Sequence, residues 1–390
     1  MPSPLVNMTG VAGGQSDLAT WIIAISILIS TVLSILAFLG VAQGIQLRVW
    51  KSQIEARLRV LEGYVNDVRD ESKKLLRKLG VKDPDVVAAR VLDYFVVEPV
   101  NIEPTDITRR LERVLRTEEE HIEQIVLLAL GSRPKGVEET ALFKNAVTLL
   151  GIANAMNLLY KYLRHMLLLG IKTRNALLVT QLWMLLPYYM RIAKAYRSAA
   201  RTISRGMPIG DAAGPLVAYR LVRSVAASNE VLYREIAKDT VYATIEYLGR
   251  RVYVVRARGP GSTVGRPGEA VEKLAEKLSQ GEIAAIITVD AALKFEGEQT
   301  GAIAEGSGVA MGDPGPEKIK IERLAVRRGI PLYAIAIKMS FEEAIGAMNK
   351  NIVKGVESAL ERLKQLIQET SKPGDTIIIV GVGNTIGVGL

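Results

Sequence analysis

Residues 283–315 read IAAIITVDAALKFEGEQTGAIAEGSGVAMGDPG, and the change of texture inside this run decides the fold. Residues 283–289 are apolar and rich in β-branched side chains, as a strand covered on both faces requires. Between Asp290 and Gly315 there follow five carboxylates (Asp290, Glu296, Glu298, Glu305 and Asp313), Lys294 and six glycines. Runs like the first recur at 252–257, 332–337 and 376–382, with helical patterns at 268–278, 323–328 and 341–370 between them. Apolar strands alternating with helices predict an α/β domain over 251–390 with a mainly parallel sheet.

Upstream the periodicity is helical. Residues 83–250 read as an all-α domain, with helices at 106–130, 137–169, 173–204 and 216–226. Before it, Ile54, Leu58, Leu61, Val65, Val68, Ser72, Leu75 and Leu79 alternate spacings of four and three. That seam over 48–80 predicts a coiled-coil stalk joining copies of the chain, the alternative being a helix packed on its own domain. Residues 18–47 carry no charge, and 21–41 are long and apolar enough to cross a bilayer as a helix. A cleaved signal peptide is disfavoured, because the apolar run is too long and no basic region precedes it. Arg48, Lys51, Arg57 and Arg59 follow the run and no Lys or Arg precedes it, which orients the N-terminus outward and the rest toward the cytoplasm. Residues 1–17 are small and polar and read as disordered. The expected class is therefore α+β, a membrane-anchored helical region followed by an α/β domain.

Composition excludes much chemistry. With no cysteine, disulfides, thiol catalysis and thiolate metal sites are out, and two histidines cannot build a multi-histidine centre. Any metal would be a hard ion such as Mg²⁺ held by oxygen. Absent cysteine and scarce Asn and Gln beside abundant Lys, Arg and Glu fit a thermophile. The net charge of +9 is uneven: between Glu139 and Asp211 ten basic residues and no acid occur. Arg191, Lys194, Arg197, Arg201 and Arg205 fall on one helical stripe, which suits an anionic surface.

Ligands of parallel sheets bind beyond the carboxyl ends of the strands. After the 252–257 strand come Arg258, Gly259, Gly261, Ser262, Thr263, Gly265 and Arg266, then a helix, an arrangement able to hold a phosphate or carboxylate. Neither the Walker nor the dinucleotide fingerprint is matched. After the 283–289 strand, Asp290, Glu296, Glu298 and Glu305 are candidate Mg²⁺ ligands, with Lys294, Glu296 and Glu298 as reacting groups. The competing reading of 300–311 is a small-residue helix. Asp211, in the glycine-proline loop 206–215, suits a helix cap or a site residue. Asn384 and Thr385, in the terminal glycine run, can line the same crevice.

GMPIGDAAGPL (206–216), GPGSTVGRPG (259–268), LKFEGEQTGAIAEGSGVAMG (293–312) and VGVGNTIGVG (380–389) resemble an uncharacterised archaeal family, domain of unknown function 1512. The resemblance implies an archaeal source and one N-terminal span, and no activity. Two functions stay open. One is a membrane-anchored, cytoplasm-facing protein that binds, and in the enzymatic version processes, a phosphorylated or nucleotide-like ligand with Mg²⁺. The other is an oligomeric scaffold presenting a basic helical surface to lipid, a protein or, less favoured, nucleic acid.

Overall fold

The computed structural model describes residues 13–38, 41–92, 94–97, 106–225, 232–312 and 315–389. The order of elements is α1 (Gly13–Phe38), α2 (Val41–Lys78), α3 (Pro84–Leu92), α4 (Ile107–Leu130), α5 (Gly136–Lys172), α6 (Ala176–Ser204) and α7 (Ala213–Val225). Then follow β1 (Arg234–Ala237), β2 (Thr240–Tyr247), β3 (Arg250–Ala257), α8 (Pro267–Ala275), β4 (Ile283–Leu293), β5 (Ile303–Ser307) and α9 (Pro316–Arg328). The chain closes with β6 (Leu332–Met339), α10 (Phe341–Ile345), α11 (Lys350–Glu369) and β7 (Thr376–Gly381). It is an α+β protein, helical in its N-terminal and middle parts, with a mixed sheet in its C-terminal part. Residues 1–12, 98–105, 226–231 and Asp313, which carry the disordered start, the Pro99 and Pro104 connections, the end of the expected 216–226 helix and one of the five acids, lie outside the described residues.

Two compact units are distinguished: residues 1–59 with 162–187, and residues 60–161 with 188–390. In the first, α1 exposes every described side chain of Ile23–Ile35. In the same unit Trp50 stacks on Trp183 at 5.6 Å, and the indole N–H donates to Gln53 at 2.6 Å.

The second unit holds the sheet, in the order β1-β2-β3-β7-β4-β6-β5. Its centre, β3-β7-β4-β6, is parallel, and antiparallel pairs flank it. Side chains alternate between two cores. One, with Val254, Ile287, Val289, Ile335 and Ile379, is covered by α7 and α11, and the other, with Val255, Ile286, Ile378 and Val380, by α8 and α9.

Three expectations are corrected. The region 83–250 is not helical throughout: β1 and β2 lie in it, and the hairpin from β2 to β3 turns on Leu248 and Gly249, both at positive φ (51° and 73°). Residues 300–311 form no helix, since β5 pairs antiparallel with β6. Residues 341–370 are two helices: Gly346 and Ala347 leave the helical path, Ala347 bridging to Ile209, and Asn349 caps α11 by accepting the N–H groups of Asn351 and Ile352.

The heptad lies in one continuous helix, and its seam is covered within the chain. Ile54, Leu58, Leu61, Val65, Val68, Ser72 and Leu75 are all buried. The Ser72 hydroxyl donates to the Arg69 carbonyl at 2.7 Å, which satisfies the polar break. These seven side chains are packed within a single chain. The basic stripe is also largely matched. Arg191 pairs with Glu342 at 2.7 Å, Arg197 pairs with Asp67 and lies over Tyr64, and Arg201 stands near Glu71.

Candidate functional site

Three of the glycine-rich segments interlock beyond the ends of β3, β7 and β4. Asp211 sits in the short turn Gly210–Ala212 ahead of α7, and its Oδ2 accepts the Asn384 N–H at 2.8 Å. Asn384 in turn donates through Nδ2 to Ser262 Oγ at 2.9 Å, and its Oδ1 accepts the Ile386 N–H at 2.9 Å. Thr385 is fully buried and donates its hydroxyl to the carbonyls of Gly261 and Thr263. Gly383 is needed where it stands: φ is +126°, and a Cβ there would lie 2.0 Å from the Asp211 carbonyl.

Asp290, near the end of β4, is buried, with N–H groups of Ala291 and Gly312 donating to it. Burial, then repulsion from Asp211, pushes its carboxyl well above the ordinary range. Burial likewise raises Asp211, against the Asn384 hydrogen bond. No Lys or Arg among the described residues acts on either, so the two acids form a pair in which one proton is readily held.

Asp211 opens on a cavity of about 410 Å³. Its wall is mostly apolar, with Ile203, Leu293, Met339 and Phe341, together with Tyr196; among the described residues Asp211 is the only charged side chain lining it, and Asn384 and Thr148 add polar groups. Such a cavity accepts an apolar body with one polar end. The acid pair can neutralise a cation or hold and return a proton.

The other expected site residues lie elsewhere. In the 258–268 loop the N–H groups of Ser262, Gly265 and Arg266 donate to Asn145, Thr263 and Thr240 oxygens, so they are engaged within the protein. Arg258 pairs with Glu235 at 2.9 Å, and Arg266 stands 3.7 Å from Glu119. Gly259 serves close packing, since a Cβ there would lie 1.8 Å from the Val388 carbonyl. Gly261 similarly packs on Ala141 of α5.

Glu296 is exposed. Glu298 pairs with Lys338 and accepts the Phe295 N–H, and Lys294 donates to the Glu298 carbonyl at 3.3 Å. Glu305 pairs with Arg362 of α11. Register separates it from Asp290: Glu305 pairs with Ile335, which pairs with Val289, so Glu305 faces the α11 side while Asp290 faces the other. The four expected metal ligands therefore do not converge. A second carboxylate group, Glu119, Glu123 and Asp239, does converge, but Lys144 and Lys238 lie among these acids.

The Asp211–Asp290 pairing is the feature that reading the chain does not supply, although both residues stand out singly. An acid closing an apolar parallel strand is the available signal for Asp290. No curated protein matches this chain. Family models described as the N-terminal domain of a protein of unknown function and the C-terminal domain of unknown function, both DUF1512, match residues 28–206 and 209–389. Between them they span nearly the whole sequence, and the chain belongs to the DUF1512 family.

Proposed function

We propose that this protein is held at a membrane by α1 and binds, in the cavity at the carboxyl edge of its sheet, a small apolar molecule carrying a cationic group. The observation that carries the ligand reading is that, among the described residues, Asp211 is the lone charge on an apolar wall, backed by Asp290 and faced by no cation. An anion alone would be repelled there. The phosphorylated ligand expected from the glycine loop would need a divalent cation at the acid pair first. Both readings meet one assay. Phenethylamine should raise Tm, by about 1 kcal/mol of stability at fivefold excess over Kd, while uncharged phenylethanol and MgCl₂ alone should not. A response to MgCl₂ that Asp211→Asn removes would establish the metal reading in place of the amine.

The same pair predicts a pH dependence. Below the ordinary carboxyl range, folded and unfolded chains both hold the Asp290 proton. As pH rises through the ordinary carboxyl range, the unfolded chain ionises first, so stability declines until the folded carboxyl also ionises. Asp290→Asn removes that decline. At neutral pH the variant should melt higher than the parent chain, and near pH 3 the difference should vanish. The same change should weaken the amine response, as expected where stability is spent on a binding site.

The membrane reading is supported by the apolar exposure of Ile23–Ile35 and by the cations at Arg48, Lys51, Arg57 and Arg59. The composition accords with a thermophilic source, and the family resemblance with an archaeal one. In sealed right-side-out vesicles, protease should leave the chain beyond Arg48 intact. Digestion of the sheet-bearing unit from outside would reverse the orientation.

A further inference from the structure

The tip of the α5–α6 hairpin, in the same compact unit as α1, is exposed and apolar. Leu168, Leu169, Ile171, Leu177, Met184 and Leu185 all face solvent, Leu177 and Met184 at 66% each. The turn is well built. Gly170 lets the helices close, for a Cβ there would lie 2.8 Å from Val179, and Asn175 Oδ1 accepts the Leu178 N–H at 3.1 Å. Interleaved with these side chains are Arg164, His165, Lys172 and Arg174, all exposed, in a stretch of chain without acids.

We propose that this tip lies in the interface of an anionic bilayer, its leucines and methionine among the acyl chains and its cations at the headgroups. An apolar patch mixed with cations alone is the pattern of an interfacial helix. A second copy is the poorer occupant, because the tip would set Lys172 and Arg174 against themselves. Crossing is also disfavoured: α5 has the length and composition of a span, but half of its apolar window is buried in the protein. The inference stands beside the membrane reading of α1 and uses other residues.

The absence of cysteine allows a clean test. Full-length chains with Leu177→Cys, Val32→Cys or Val326→Cys are labelled with an environment-sensitive dye and reconstituted in phosphatidylglycerol or phosphatidylcholine vesicles. Val326, on α9, is 84% exposed and serves as the aqueous reference. The label at 177 should shift to shorter wavelength and be quenched by brominated acyl chains, more strongly in phosphatidylglycerol. Lys172→Glu with Arg174→Glu should remove that lipid preference. A label at 177 as wet as that at 326, with 32 dry, overturns the hairpin inference alone; 32 wet overturns the anchor. Shielding at 177 that grows with protein density, or that ignores the charge reversal, assigns the tip to another occupant and also overturns the proposal.

Discussion

Gly214→Ala is expected to lower the stability of the sheet-bearing unit by about 3 kcal/mol. The N-terminal turn of α7 is pressed onto the ends of two strands: a Cβ on Gly214 would lie 2.2 Å from the Val382 carbonyl and 2.3 Å from that of Val289. Gly381 of β7 mirrors it, its Cβ position lying 2.6 Å from Ala218 of α7. The obstacles to Gly214 are backbone atoms, so relief requires α7 to lift from the sheet and to draw its own fully buried Val217, Leu221 and Val222 out of the core. Gly151→Ala, within α5, is the control. Its Cβ would meet nothing within 4 Å, and the change should stabilise by roughly 0.5–1 kcal/mol. Thermal melts of the two variants should therefore move in opposite directions. A silent Gly214→Ala would show that α7 is less tightly seated than its contacts imply. Because Asp211 rides on the turn before α7, the same variant should also lose the ligand response.

The parallel core was legible because its strands are unbroken apolar runs, a signal that tertiary context seldom reverses. β1 and β2 were missed for a local reason. Thr240–Tyr247 is rich in β-branched and aromatic residues, but it follows long helical patterns, and its closing turn uses Leu248 at positive φ, where Asn or Asp is the usual mark. β5 was misread because Ala304, Gly306 and Ser307 are small and the stretch around it is rich in Gly and Ala, which declare neither period; its pairing with β6 decides the matter. The site was legible as residues and not as an arrangement. Asp211 and Asn384 meet across 173 positions, and nothing local to Asp211 signals that its carboxylate receives an N–H from there. The acids after β4 drew attention by their number, yet Glu298 and Glu305 are tied to Lys338 and Arg362, cations supplied by β6 and α11.

The heptad shows the same boundary between pattern and partner, and it carries the other large expected effect. A seam with spacings of four and three is what a helix needs to pack along another helix, whether that helix belongs to a second chain or to its own. Here α2 is engaged from both sides within the sheet-bearing unit. Lys73 pairs with Asp85 of α3 at 2.5 Å, and Arg197 of α6 pairs with Asp67 while stacking over Tyr64 at 4.8 Å. Leu61, fully buried about one turn before Tyr64, should cost 2–5 kcal/mol when cut to alanine, about the range for a leucine in a closely packed core. The melt should fall by several degrees at every protein concentration, and the mass by light scattering should match that of the parent chain. If the seam instead joined copies, the parent melt would rise with concentration, and Leu61→Ala would lower the mass before it lowered the melt. That outcome would return the stalk to the coiled coil its spacing first suggested.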